Sequence, residues 1–178
     1  MRRKLPQILT QEEIKRLFAL PRFRKKGKQS QKMQIMLMYY CGLRVSEMLN
    51  LRVENINLDE DTLKVVNGKF GKDRLCIIPL QLKPHLEEFI KGKYSGNLFY
   101  TKANNIQKIL KRIGIEEFNK RLHPHMLRHS FATHILEKTG NLELVRVSLG
   151  HSSLQSTIVY THLSTGKRKE ALIDLFSL

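Results

Sequence analysis

The chain has 178 residues and a hydrophobic fraction of 41%, and its 32 Lys and Arg against 16 Asp and Glu give a formal charge of +16. That length suits one domain with a real core, which excludes wholesale disorder. Charge this one-sided says nothing of fold but points to a polyanionic partner, nucleic acid before an anionic membrane.

Taken in chain order, residues 1–9 are basic, carry Pro6 and read as a linker or arm. Thr10 and Glu13 then form a capping box for a first helix ending near Pro21. Residues 22–28 are mostly charge plus Gly27, hence a loop. From Ser30 to Cys41 the apolar spacing is helical, with Gly42 just past its end and a short helix over 44–51. β-branched residues follow in three groups, Val53 and Ile56, then Leu63, Val65 and Val66, then Leu75, Ile77 and Ile78, interrupted at 59–61 and at Asn67-Gly68. They read as a three-stranded antiparallel sheet. Beyond Pro79 the pattern is helical, over about 81–91, 103–113, 124–139, 142–149, 153–160 and 167–176. The fold is therefore expected to be mainly α with one small sheet, not an alternating parallel α/β arrangement.

Several classes drop out. The apolar-leaning run at 33–43 is too short to span a bilayer and contains Gln34. The N-terminal MRRKLPQILT has no apolar h-region or cleavage site, so a cytoplasmic protein with no membrane contact is expected. Cys41 and Cys76 sit in apolar runs and read as buried thiols. There is no P-loop, GxGxxG or HExxH, so neither metal nor nucleotide cofactor is expected.

Four groups of residues are candidates for chemistry. Pro124 opens a helix, which places His125 and Arg128 in its first turn, three apart on one face, beside N–H groups that favour an anion. Arg44 opens another helix, with Glu47 three residues on to hold its guanidinium. The turn at 67–74 presents Lys69, Lys72 and Arg74 on a glycine-bearing hairpin. Gly150 ends a helix, which puts His151 in a joint and Tyr160 near the end of the next helix. Taken singly, each also fits a purely structural role.

Together they resemble the catalytic domain of the tyrosine recombinase (phage integrase) family, Xer-type enzymes included. The matching segments are CGLRVSEMLNL at 41–51, GKFGKDRLCIIPL at 68–80, HPHMLRHSFATHIL at 123–136 and LGHSSLQSTIVYTH at 149–162, in the family's order. The resemblance implies one site built from Arg44, Lys69, His125, Arg128, His151 and Tyr160, supported by Glu47. Tyr160 would attack a DNA phosphodiester and form a 3′-phosphotyrosyl link, with His125 accepting the phenol proton, Lys69 protonating the leaving 5′ oxygen and His151 donating to a phosphate oxygen. The hairpin departs from the family's Gly-Lys-Gly-x-Lys-x-Arg, since Phe70 replaces the second glycine, and Lys72 becomes a rival acid.

The resemblance also implies a catalytic domain over 10–178 without the N-terminal clamp domain of larger members. It implies a specific recombination site in double-stranded DNA as partner, in the nucleoid, with a homotetramer on DNA and a monomer when free. Residues 167–178 would either pass to a neighbour or dock on their own core. Arg22, Arg24, Lys25, Lys26, Lys28, Lys72, Arg74 and the basic stretches 2–4 and 108–112 are candidate DNA contacts. Two other readings are a non-catalytic DNA-binding regulator of the same fold and an enzyme relaxing supercoils in the manner of type IB topoisomerases.

Overall fold

The architecture comes from a computed structural model that describes residues 7–66 and 73–150. The expected helices at 153–160 and 167–176, the hairpin tip and residues 1–6 of the arm lie outside the described residues.

The first helix, α1 (Gln11–Ala19), has the expected capping box: Thr10 Oγ1 accepts from the Glu13 N–H, and Glu13 Oε2 accepts from the Thr10 N–H. Such a cap contributes about 1 kcal/mol. Pro21 starts not a featureless loop but a 3₁₀ turn, Pro21–Arg24, which buries Phe23. Leu9, placed in the arm by sequence, is fully buried, and its N–H donates to Ser130 Oγ at 2.9 Å.

The centre of the molecule is α2 (Gln29–Tyr40), whose consecutive residues 33–39 are all buried. A helix apolar on every side must be surrounded. It packs on α6 (Pro124–Thr139), α4 (Lys83–Ile90), α5 (Ala103–Phe118), α3 (Val45–Leu49) and the 3₁₀ turn. Against α6, Tyr39 Oη meets His134 Nδ1 at 2.9 Å, so this histidine belongs to the core. α7 (Leu142–Leu149) packs on α6 and ends at Gly150, φ +64°.

The sheet is antiparallel in the order β1–β2–β3, with β1 Ile56–Asn57, β2 Thr62–Val65 and β3 Arg74–Ile77. Leu63 pairs with Cys76, and both are buried, as is Cys41. The first strand is shorter than expected. Val53 instead starts a 3₁₀ turn, Val53–Asn55, and its N–H donates to Gly96 O at 2.9 Å. α5 is longer than expected and runs on through Gly114. A Cβ there would lie 2.3 Å from Lys120 O, so this glycine permits the returning chain to pass close to the helix.

Three joints lie close together in the fold. They are the α2–α3 junction at Gly42, the start of β3 at Arg74 and the end of α7 at Gly150. Arg128, which projects from α6, bonds to the first and to the end of α7, while Arg74 at the second packs on Gly150.

Candidate active site

Gly42 turns the chain out of α2 at φ +58°. A Cβ there would stand 2.6 Å from the Phe131 ring of α6, so both conformation and space require glycine. The turn leaves Arg44 as the residue before α3, with Glu47 in the first helical turn.

Glu47 is the hub. Its side chain is 4% exposed. Oε1 accepts from Arg44 Nη1 at 2.6 Å and Arg74 Nη1 at 2.8 Å; Oε2 accepts from the Arg44 backbone N–H at 2.8 Å and Arg74 Nη2 at 2.9 Å. Four hydrogen bonds fill the acceptor capacity of a carboxylate. Burial alone would raise the Glu47 pKa, but the Arg74 hydrogen bonds, the Arg44 N–H and the two positive charges hold it at about 2. Glu47 is thus a fixed anion and has no capacity left for proton transfer.

Arg128 stands beside this cluster, with Nη1 at 3.8 Å from Glu47 Oε2. It lies on the second turn of α6, one turn later than expected, but still shares a face with His125. Its Nη1 donates to Gly42 O and its Nη2 to Leu149 O at 2.7 Å. One guanidinium thereby ties the α2–α3 joint to the end of α7. Burial, and next the Arg44 charge, lower its pKa to about 10, so it remains a cation at neutral pH. Three guanidiniums surround one carboxylate, and this surplus of charge favours an incoming anion.

The anion has a place to go. Arg44, His125 and Arg128 line one groove of about 900 Å³ together with Leu43, Val45 and Ser46. The Arg44 side chain is 22% exposed, and its Nε and Nη2 have no partner among the described residues. His125 is exposed at the groove. The N-terminus of α6 contributes less than expected, because Pro124 has no N–H and His123 Nδ1 accepts from the Met126 N–H at 3.2 Å. The described tyrosines, Tyr39, Tyr40, Tyr94 and Tyr100, do not line the groove.

The groove is also lined by Asn104, Gln107, Lys108 and Lys111 of α5. Only Lys108 and Lys111 fall within the basic stretch noted in the sequence. The signal for the others was present, since 104, 107, 108 and 111 follow the i, i+3, i+4, i+7 spacing of one helix face. Of the candidate DNA contacts, Arg22 pairs with Glu116 at 3.4 Å, while Arg24, Lys25 and Lys26 are exposed away from the groove lining. Lys28 lines neither the groove nor the separate hollow that Lys108 shares with Gly27 and Ser30. Arg74, read from sequence as a DNA contact, has only 11% of its side chain exposed and is held by Glu47. Lys69, Lys72, His151 and Tyr160 lie outside the described residues. No cluster of His, Cys, Asp and Glu suited to a metal occurs among the described residues, and no helix there is long and apolar enough to cross a membrane.

Comparison with known proteins gives this arrangement a family. Residues 7–167 match the phage integrase family. A tyrosine recombinase of Thermosipho africanus is 34% identical over 98% of this chain and 64% of its own. Tyrosine recombinase XerA of Pyrococcus furiosus is 36% identical over 94% of this chain and 61% of its own. The crystal structure of XerA recombinase superposes with a TM-score of 0.74 at 27% identity, over 94% of this chain and 64% of that one. XerH recombinase bound to its difH substrate superposes at 0.68 with 26% identity, over 89% and 51%. The chain thus spans a little under two thirds of the curated relatives it matches. With the family match running across nearly all of the described fold, this chain belongs to the phage integrase family of tyrosine recombinases.

Proposed function

We propose that this chain carries the catalytic site of a site-specific DNA recombinase, one that cuts and rejoins strands through a 3′-phosphotyrosyl intermediate. The observation that carries the reading is the arginine cluster. A fixed, saturated carboxylate holds Arg44 at a groove of about 900 Å³ with two of its donors unengaged by the described residues. A guanidinium is a rigid fork with a permanent charge, suited to the nonbridging oxygens of a phosphodiester.

The reaction is balanced without an external energy source. The Tyr160 phenol loses its proton to His125 and its Oη bonds to phosphorus. The P–O5′ bond breaks, and the 5′ oxygen takes a proton from Lys69. Return of a 5′-hydroxyl to the same phosphorus reverses each transfer. Negative charge builds on the nonbridging oxygens as the phosphorus passes through five-coordination, where Arg44 and Arg128 act in concert. Electrostatic stabilisation of this kind contributes about 3–4 kcal/mol per donor group. The polar face of α5 fits the same substrate. Lysines suit phosphates, and the amides of Asn104 and Gln107 match the paired donor and acceptor of adenine in the major groove. Strand exchange further requires several protomers on one DNA, and a tetramer on the recombination site is part of the reading.

The test uses a duplex selected by the protein itself from a random-sequence library, then nicked near the scissile phosphate so that the released fragment diffuses away. A covalent protein–DNA species should accumulate with the wild-type chain. Tyr160→Phe should bind the duplex equally well and give none. Intact binding without any adduct from the wild-type chain would contradict the reading.

A further inference from the structure

Arg74 is the residue whose place in the fold the catalytic set leaves unexplained. It starts β3, directly beyond the hairpin tip. Its guanidinium meets Glu47 end-on through two parallel hydrogen bonds of 2.8 and 2.9 Å. Its aliphatic part lies against the last turn of α7, since a Cβ on Gly150 would come within 2.6 Å of Arg74 Cδ and 3.1 Å of its Nε. Only 11% of the side chain is exposed, and it is absent from the groove lining. The side chain is therefore committed to Glu47 and does not line the groove. It touches instead the carboxylate that fixes Arg44 and the glycine that precedes His151.

We propose that Arg74 is a positioning residue for phosphoryl transfer, setting Glu47 so that Arg44 presents its charge to the scissile phosphate and locking the hairpin base to the end of α7. This inference rests on the proposed strand-cleavage reaction and adds a role for a residue that makes no contact with DNA. The geometry excludes the simpler alternative of a surface ion pair. Glu47 has two oxygens, and each already receives one hydrogen bond from Arg44. Arg74 supplies the second bond to each, so the carboxylate is gripped on both sides and its plane is fixed. Without Arg74 the carboxylate would keep only its bonds from Arg44 and could rotate about its own side chain, and Arg44 would move with it. A displacement of about 1 Å at such a site costs on the order of 100-fold in rate. The contact with Gly150 extends the constraint, because Leu149 O accepts from Arg128 one residue earlier. Arg74 and Arg128 thus hold the end of α7 from two sides, one by packing and one by a hydrogen bond. Lysine cannot replace this grip, since one ammonium cannot give two parallel bonds to a carboxylate.

The experiment measures single-turnover adduct formation on the selected, nicked duplex, with the scissile phosphate either natural or replaced by a methylphosphonate. The methylphosphonate carries no charge on its nonbridging groups, so a step limited by charge stabilisation loses much of its dependence on the arginines. Wild type, Arg74→Ala, Arg74→Lys and Arg44→Ala are compared, with Kd at two salt concentrations and Tm for each. Adduct formation by wild type tests the underlying reaction; the variants test only the role of Arg74. Arg74→Ala should bind DNA within about threefold of wild type with an unchanged salt slope. It should lose about 100-fold in rate on the natural phosphate and less than about tenfold on the methylphosphonate, in parallel with Arg44→Ala. Arg74→Lys, which retains the charge and most of the packing, should fold as wild type does and still lose most of the rate on the natural phosphate. A salt slope lower by about one would make Arg74 a backbone contact and overturn the proposal. Equal losses on both substrates, or full activity in Arg74→Lys, would also overturn it.

Discussion

The two walls of the groove are built on opposite principles. On the arginine wall, protein atoms hold nearly every charged group: Glu47 accepts four hydrogen bonds, and Arg128 is clamped between two backbone carbonyls. On the α5 wall, Asn104, Gln107, Lys108 and Lys111 stand at helical spacing on the groove side of an amphipathic helix whose other face buries Ile106, Leu110 and Ile113. The first wall is preorganised, as the proposed chemistry at a single phosphorus demands. The second is exposed and polar, as the proposed contact with a long polymer demands. The difference predicts that changes on the arginine wall act on stability and rate, while changes on α5 act on binding and its salt dependence.

The largest effect on folding should come from Glu47→Gln. Removing one partner from a buried ionic cluster costs about 3–5 kcal/mol, and here it leaves three guanidiniums without their counter-charge. The same residue sets an acid limb. Its folded pKa, about 2, lies below the ordinary 4.5. The carboxylate therefore stabilises the fold fully above pH 4.5 and loses that contribution as pH falls toward 2. Chemical denaturation at several pH values should show wild type falling more steeply through this window than Glu47→Gln, which keeps only the contributions of other paired carboxylates such as Glu13, Glu116 and Glu143. Equal pH dependence in both proteins would remove Glu47 from the centre of the site.

Gly42→Ala should come next, at about 2 kcal/mol, because it adds a Cβ at positive φ against the Phe131 ring. It should also slow cleavage, since Gly42 O is a partner of Arg128. Thermal unfolding checks the first effect and single-turnover cleavage the second; a variant as stable as wild type would show that the joint tolerates displacement.

The smallest effect on stability should come from Lys108→Ala combined with Lys111→Ala, within about 0.5 kcal/mol of wild type. That double change should instead lower the slope of log Kd against log salt by about two. A loss of stability with an unchanged slope would place these lysines in the fold and not on the DNA.

Much of the fold was legible because its signals are local. The capping box at Thr10, proline at the start of α6 and glycine after α2 and α7 each mark a boundary by the chemistry of one turn. The errors arose where tertiary packing overrides local preference. Gly114 reads as a helix end, yet α5 continues, because the glycine serves close approach of the chain near Lys120. Val53 reads as strand, yet its N–H is taken by Gly96, distant in sequence. At the site, Arg44, Glu47, His125 and Arg128, singled out from separate motifs, stand near one another in the fold. The role of Arg74 was hidden, because spacing along the chain cannot show that a hairpin residue turns inward onto a carboxylate 27 positions earlier.

The most direct measurement is the identity of the residue that carries DNA after reaction with the nicked duplex. Protease digestion of the adduct, followed by mass spectrometry, should find the nucleotide on the peptide spanning 147–167, at Tyr160, joined through a 3′ phosphate. DNA attached to any other residue, or through a 5′ phosphate, would contradict the account.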